Sequence, residues 1–252
     1  MFRAFAAASI ALLSAGTLAA APAARPVDMR AALAAADRAK ENVTLDEVRK
    51  PAEVLAFLGL KKGDRALDYF TGAGYYAEVM AKAVGPKGTV IGWNATPFAV
   101  KAKDKLAAIR QGDANLSFYS TPATALAFPT ASYDFAMLHL VYHDTYWESA
   151  EYQVPRIDPA TVVQALFQAV KPGGIVAVID HAAAPGGDTR AVVEKLHRID
   201  PAVVRADFER AGFVLEAQSD LLAVPGDDHS KNVFDPSIRG RTDRFVYRFR
   251  RP

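Results

Sequence analysis

Three of the five histidines lie in two short stretches of the chain. His139 and His143 flank the sequence LVY, and Asp144 follows directly. His181 follows Asp180 at the end of an apolar run, IVAVID. A neutral imidazole near pH 7 can remove a proton from a reacting group. The residue types therefore predict acid–base chemistry with His143, Asp144 and His181 as catalytic candidates.

Two other interpretations of these histidines remain open from the sequence. The first is a metal site, since His139 and His143 would share one face of a helix and His181 would complete the ligand set. No fixed-spacing motif such as HExxH accompanies them. The second is a structural role as hydrogen-bonded groups near a loop, which is favoured for His139 taken alone.

Aromatic residues accompany His143, and they predict the walls of a substrate pocket. Tyr142 and Trp147 are the candidate substrate-binding residues, because such walls suit a planar or apolar molecule. His197, in LHRID, is expected on a helix, either at the surface or capping the same pocket.

Arg239 and Arg241 lie in the sequence DPSIRGRTD and are further substrate-binding candidates. Guanidinium groups match the geometry of carboxylates and phosphates, so this stretch would suit an anionic substrate. The alternative is a solvated run of charges, paired with Asp235 and Asp243.

A glycine-containing turn follows the first predicted strand, in the sequence ALDYFTGAGYY at 66–76. Gly72 and Gly74 allow the backbone to turn and to approach a ligand closely. The following helix directs its N-terminus at the same place. Asp68 adds a carboxylate that could anchor a polar or cationic group, so the turn is a candidate cofactor site.

The elements that position these residues alternate between strand and helix. Predicted strands end at Phe70, Trp93, Tyr119, His139 and Asp180, and helices are expected over 75–84, 97–110, 159–170 and 201–211. Such alternation predicts a mostly parallel sheet with helices on both faces. FVLEAQSDLL and FVYRFR near the C-terminus have no helix between them and predict an antiparallel pair at one edge. The predicted fold is a doubly wound α/β domain.

These motifs, in this order, resemble the class I S-adenosylmethionine-dependent methyltransferases. KKGDRALDYFTGAGYYAEVMAKAVGPKGTVIGW is similar to their first motif and second strand, KPGGIVAVID to their fifth strand, and AGFVLEAQSD with FVYRFR to their last two strands. More narrowly, YHDTYW, IDHAA, LHRID and DPSIRGRTDRFVYRF resemble a group of exported methyltransferases. The resemblance covers about residues 44–252 and implies a seven-stranded Rossmann-like sheet with S-adenosyl-L-methionine as cofactor.

The resemblance also implies which residues contact that cofactor. They are Asp68, Phe70, Gly72, Gly74, Tyr75, Asn94 and His139. The chain departs from the family pattern at Phe70, where a glycine is usual, and at Asn94, where an acidic residue binds the ribose hydroxyls. Pro122 or Thr124 occupies the third-strand position of another acidic residue. Each change of a charge-assisted hydrogen bond to a neutral one would weaken binding by about 1 kcal/mol.

The sequence pattern at the N-terminus predicts a signal peptide over residues 1–23. Arg3 precedes an apolar, alanine-rich run that is too short for a convincing membrane span, and A-x-A sites predict cleavage at roughly residues 20 to 24. Residues 24–43 are expected to be a linker or loose leading helix, followed by a methyltransferase-like domain at 44–252. We expect a periplasmic or secreted protein without stable membrane insertion after cleavage.

Composition limits the class of partner. The chain has 30 basic and 28 acidic residues, a net charge of +2, and no cysteine. Nucleic-acid binders usually show a basic excess, so no nucleic-acid partner is expected. The absence of cysteine excludes a thiolate nucleophile or thiolate metal site.

Two functions are consistent with these features. The first is a methyltransferase acting on a small-molecule acceptor. The second is a non-catalytic protein that binds a metal or small ligand on a methyltransferase scaffold in the periplasm. The second is kept open because S-adenosylmethionine is made inside cells, and because fold alone does not fix function.

Overall fold

The computed structural model of the protein describes residues 27–252, so the predicted signal peptide at 1–23 lies outside the described residues. The helices are α1 (Met29–Leu33), α2 (Lys40–Val43), α3 (Asp46–Arg49), α4 (Pro51–Leu58), α5 (Tyr75–Val84), α6 (Thr96–Gly112), α7 (Pro159–Ala169), α8 (Thr189–Leu196) and α9 (Pro201–Arg210). The strands are β1 (Arg65–Tyr69), β2 (Thr89–Ala95), β3 (Leu116–Thr121), β4 (Tyr133–His139), β5 (Val170–His181), β6 (Val214–Ser219) and β7 (Arg244–Arg250).

The seven strands form one sheet in the order β3-β2-β1-β4-β5-β7-β6. β1 to β5 run parallel, whereas β7 is antiparallel to both β5 and β6. The predicted seven-stranded, mostly parallel sheet with an antiparallel C-terminal pair is confirmed. The strand order reverses between β1 and β4, and in such sheets a crevice for ligands forms beyond the carboxyl ends of the strands there.

Two apolar layers cover the sheet. One packs α1, α4, α5 and part of α6 against one face, and the other packs α7 and α9 against the opposite face. β5 is buried from Ile175 to Asp180 because both faces are covered, which explains its continuously apolar sequence. The helix predicted over 159–170 ends at Ala169, and the sequence KPGG belongs to the strand.

The helix boundaries follow from local chemistry. Pro51 and Pro159 occupy the first turns of α4 and α7, where the missing N–H removes no hydrogen bond. The side chain of Asp188 accepts a hydrogen bond from the N–H of Ala191 and caps α8, a helix that was not predicted as a separate element. His197, expected on a helix, is the left-handed residue that ends α8, with φ of 50°.

The segment before the first strand packs against the domain, although residues 24–43 were expected to be a linker or loose helix. The carboxylate of Glu78, on α5, accepts hydrogen bonds from the N–H of Ala39 at 2.6 Å and from Asn42 Nδ2 at 2.9 Å. Arg38 forms a bidentate pair with Asp46 at 2.6 and 2.9 Å. Polar contacts of this kind attach the segment that contains α1, α2 and α3 to helix α5. The sequence pattern of this short segment does not reveal them.

Gly74 is the position in the turn after β1 where a side chain would be most disruptive. Its φ is 89°, and a Cβ there would lie 2.9 Å from Ile109 Cδ1 and 3.0 Å from Leu106 Cδ2. Gly63 has a similar φ of 87° but open space around its Cα, which makes it a matched control.

We predict that Gly74→Ala destabilises the protein more than Gly63→Ala. Both variants force an L-residue into the left-handed region, at about 1–2 kcal/mol. Gly74→Ala adds overpacking against α6, at about 1–3 kcal/mol. Urea unfolding with unchanged slope would measure both losses. Equal losses in the two variants would show that α6 does not press on the turn.

Candidate active site

A cavity of about 1100 Å³ opens at the carboxyl ends of β1, β2, β4 and β5, beside the reversal of strand order. Ligand pockets usually enclose about 300–1,000 Å³, so the space is sufficient for a cofactor together with a second small molecule. Residues from the loops 143–157 and 233–234 complete its walls.

Aromatic rings form two parts of the cavity wall. At the β1–β2 end, Tyr69 stacks on Trp93 at 4.9 Å between ring centroids, and Phe70 packs edge-on against Phe98 at the same distance. At the opposite end, the ring of His197 lies 5.1 Å from those of both Trp147 and Phe234. The histidine cluster belongs to this second end. Flat, apolar walls of this kind suit planar ligand groups.

Phe70 adopts the left-handed conformation, with φ of 54°, at the position where the family pattern has a glycine. A bulky residue in this region is uncommon and costs about 1–2 kcal/mol. Its ring lines the cavity and packs against Trp93 and Phe98, and this packing offsets the backbone strain. The chain therefore makes this left-handed turn without a glycine at that position.

Asn94 uses its side-chain amide to hold the same turn. Its Oδ1 accepts from the N–H of Gly72 at 2.9 Å, and its Nδ2 donates to the carbonyl of Gly72 at 3.0 Å. Asp68 is buried and accepts a hydrogen bond from the hydroxyl of Thr71 at 2.5 Å. Burial raises the pKa of Asp68 to about 7. Asn94 and Asp68, which were predicted to contact the cofactor, thus hold the turn through hydrogen bonds. Neither residue lines the cavity.

Asp180 anchors the histidine cluster. Its fully buried carboxylate accepts from the backbone N–H of His143 at 2.8 Å and lies 2.7 Å from His143 Nδ1. The same carboxylate accepts from the N–H of His181 at 2.8 Å. These bonds connect the chain that leaves β4 to the end of β5, as the predicted proximity of the two strands requires.

The protonation states within this cluster differ. Burial alone lowers the pKa of His143, but the charges of Asp180 and Asp144 outweigh it and raise that pKa to about 9. His143 is therefore an imidazolium at pH 7, and Asp144 Oδ1 lies 3.3 Å from its Nε2. Burial, assisted by the charge of Asp180, raises the pKa of Asp144 to about 6.

His181 and His197 are the neutral members of the cluster. Their rings lie 5.9 and 5.7 Å from that of His143, and both line the cavity. Burial lowers the pKa of His181 to about 3 and that of His197 to about 4. His181 Nδ1 bonds the hydroxyl of Thr242 at 2.7 Å, which leaves Nε2 as the other polar atom of the ring.

Four of the predicted site residues, His143, Asp144, His181 and Trp147, line one cavity in the structure. Tyr142 instead turns its ring against Phe208 in the core and donates its hydroxyl to Asp207 at 2.7 Å. After β4 the side chains of consecutive residues point in different directions, so Tyr142 packs into the core whereas His143 faces the cavity.

The remaining predicted residues lie elsewhere. Arg239 and Arg241 are exposed and contact Phe234 and the carbonyl of Ser237, so they do not line the cavity. Tyr75 donates its hydroxyl to Asp46 at 2.7 Å beneath the N-terminal segment. His139 ends β4 rather than sharing a helix with His143, and its ring packs against Tyr76 at 4.7 Å.

Sequence reasoning left His197 at either the surface or the pocket, and it did not select Asp180, Thr242 or Phe234 as site residues. For Asp180 a signal was present, because an acidic residue at the end of a wholly apolar strand must be paired when buried. Thr242, which bonds His181, and Phe234, which lines the cavity, belong to the long loop before β7, which Arg198 holds in place. Arg198 bonds Asp227 at 3.0 Å and the carbonyl of Lys231 at 3.0 Å.

Within residues 27–252, no three His, Cys, Asp or Glu side chains are grouped so that they could hold a metal ion. Over the same residues, no helix combines the length and apolar character that a membrane crossing requires.

Comparison with known proteins agrees with this architecture. The family model described as a methyltransferase domain matches residues 60–219. A demethylmenaquinone methyltransferase of Geobacillus kaustophilus (strain HTA426) is 28% identical over 128 residues, which are 51% of this chain and 50% of that protein. The homologous enzyme of Geobacillus stearothermophilus is 27% identical over the same length. The chain thus matches about half the length of these curated relatives.

Solved structures share the fold. A SAM-dependent methyltransferase from Aquifex aeolicus superposes with a TM-score of 0.56 at 21% identity, covering 81% of this chain and 97% of that one. An S-adenosylmethionine-dependent methyltransferase from Mesorhizobium loti gives 0.57 at 19% identity, covering 82% and 100%. With the family match over most of the sheet, these findings show that the chain belongs to the methyltransferase-domain family and has the class I fold of the S-adenosylmethionine-dependent enzymes.

Proposed function

We propose that the protein transfers a methyl group from S-adenosylmethionine to a small, planar and mainly apolar acceptor. The observation that carries this proposal is the single cavity that has aromatic walls at the turn after β1 and a buried acid–base cluster at its other end. The cofactor supplies an electrophilic methyl group when it is bound.

Three features of the chain fit that cofactor. The cavity is large enough for the cofactor, and the rings of Phe70, Trp93 and Phe98 form an apolar part of its wall. The space around the Cα of Gly72 is open. Asn94 is engaged with Gly72, so this chain lacks the acidic ribose contact of the family pattern. Binding there would rest on shape and apolar contact more than on charge.

The acceptor would lie against Trp147 and His197, with its reacting atom near Asp144. Asp144 is the cavity group whose ionisation lies nearest neutral pH, which suits a general base. The imidazolium of His143 holds Asp144 in place, and His181 offers a neutral imidazole for positioning the acceptor. Alignment of the reactants would supply most of the rate, as in other two-substrate transfers.

The likeness to enzymes named demethylmenaquinone methyltransferase supports including demethylmenaquinone among the acceptors to be tested. It covers half of those proteins, so a wider panel of small aromatic hydroxyl and amine compounds belongs beside it.

The first test is calorimetric titration of the chain from about residue 24 with S-adenosylmethionine and S-adenosylhomocysteine. We expect binding at micromolar strength, with ATP at equal concentrations as the control for unspecific nucleotide binding. Absence of binding up to millimolar ligand would contradict the proposal and would point to a scaffold that serves another ligand.

The pH dependence of methyl transfer tests the role of Asp144. We expect the rate to rise as pH increases through about 6, because the Asp144 carboxylate must be ionised to accept a proton. Asp144→Asn should reduce the rate about 10²–10⁴-fold and remove that rise. Glu148→Gln, which changes an exposed acid of the same loop paired with Arg156, is the matched control. An unchanged profile in Asp144→Asn would exclude this base.

Stability should also depend on the His143 ion pair. The pKa of His143 is raised in the folded state, so its contribution is complete below the ordinary value of 6.5 and disappears as pH rises through about 9. We expect the difference in unfolding free energy between the wild type and His143→Gln to shrink over pH 6.5–9. His229→Gln, which changes a half-buried histidine bonded to Asp243, serves as the control. A difference that stays constant would mean that His143 is neutral.

We also propose that the mature enzyme is exported, on the basis of the apolar N-terminal run and its A-x-A sites. Expression of the full chain in a bacterial host, followed by fractionation and mass measurement, should yield a periplasmic protein that begins at roughly residues 20 to 24. A full-length protein retained in the cytoplasm would contradict export.

A further inference from the structure

Two arginines, one half-buried and one buried, lie beside the turn after β1, outside the cluster used above. Arg49 ends α3, and its guanidinium carbon lies 4.3 Å from the centroid of the Tyr75 ring. Arg244 begins β7, is 7% exposed, and donates from Nη2 to the carbonyl of Val48 at 2.8 Å. The end of α3 and the start of β7 thus place two positive charges on the same side of the sheet.

Neither guanidinium has a carboxylate within ion-pair distance among residues 27–252. The other buried arginines do have one, since Arg38 pairs with Asp46 and Arg198 with Asp227. Buried charges in proteins are normally paired, because desolvation without a partner is expensive. Arg49 and Arg244 therefore form a cationic site that no carboxylate of residues 27–252 contacts directly.

Further polar atoms at this site lack partners. Arg244 Nε and His139 Nε2 are both buried and make no hydrogen bond to residues 27–252. The burial of His139, together with the positive charges of Arg49 and Arg244, lowers its pKa well below the ordinary value. A neutral imidazole and two guanidinium groups are a donor set that an anion would satisfy.

The location of the site limits which anion it would take. His139 ends β4, and Asp68 on β1 is close enough to Arg49 for that charge to act on its carboxyl. The site therefore borders the crevice between β1 and β4, where the strand order reverses. It lies against Tyr75 and Tyr76 at the start of α5, and none of its residues lines the cavity wall of Trp147 and Phe234, where the acceptor is placed.

We propose that Arg49 and Arg244 bind the carboxylate at the amino-acid end of S-adenosylmethionine. This assignment rests on the proposed function. It gives the cofactor a charged contact at that end, whereas its ribose end has none from Asn94. A guanidinium pair matches the two oxygens of a carboxylate, and such bonds are stronger when they are shielded from water.

The test compares two ligands that differ in the amino-acid end. S-adenosylhomocysteine carries the carboxylate, and 5′-methylthioadenosine has the same adenosine and thioether without it. Calorimetry would measure both dissociation constants for the wild type, Arg49→Gln and Arg244→Gln. Arg205→Gln is the matched control, because this exposed arginine of α9 pairs with Glu209 at 2.9 Å, away from the turn after β1.

We expect each variant of the pair to bind S-adenosylhomocysteine about tenfold to 100-fold more weakly, the loss typical of a hydrogen bond to a charged group. Binding of 5′-methylthioadenosine should remain unchanged, and Arg205→Gln should match the wild type with both ligands. Arg244→Lys, which keeps the charge, should lose less affinity than Arg244→Gln and guards against a variant that merely unfolds.

Other results would overturn the assignment. Unchanged affinity for S-adenosylhomocysteine in both variants would mean that the pair serves another anion, such as an acid group of the acceptor. Equal losses for both ligands would mean that the substitutions disturb the whole site. If the wild type binds neither ligand, the proposed function itself fails, and the assignment fails with it.

Discussion

The buried carboxylate of Asp180 is the contact on which the geometry of the site depends. It follows the buried apolar residues 175–179 of β5 and is itself fully buried, so its hydrogen-bond partners must lie close by within the protein. It finds them in the backbone and ring of His143 and in the backbone of His181. Because these bonds fix the chain just after β4, they also fix Asp144 and the wall that continues to Trp147.

The cluster around Asp180 separates charge in a small volume. One imidazolium is held between two carboxyl groups, while the two histidines beside it remain neutral because burial disfavours their charged form and the positive charge of His143 adds to that effect. Environment therefore gives three chemically identical side chains different roles. Neighbouring titratable groups whose pKa values differ widely are common where acid–base chemistry takes place.

The sequence allowed the sheet, most helices and the meeting of His143, Asp144 and His181 to be predicted, because these depend on local periodicity and on parallel strands ending at one edge. The charge on His143 could not be predicted, since it depends on Asp180, 37 residues away. The pairing of Arg49 and Arg244 in space depends on how α3 meets β7. The role of Asn94 depends on a reciprocal bond to Gly72, and no pattern of residue types specifies such a bond.

That reciprocal bond has a consequence for how a ligand would enter. A glycine-containing turn without support samples many shapes, and a ligand that orders it loses part of its binding energy to that ordering. Here the side-chain amide of Asn94 and the ring of Phe70 support the turn through contacts within the chain. Asn94 offers no charge to a ligand, but it stabilises the backbone of the turn. Association of a ligand should therefore require little rearrangement of that backbone.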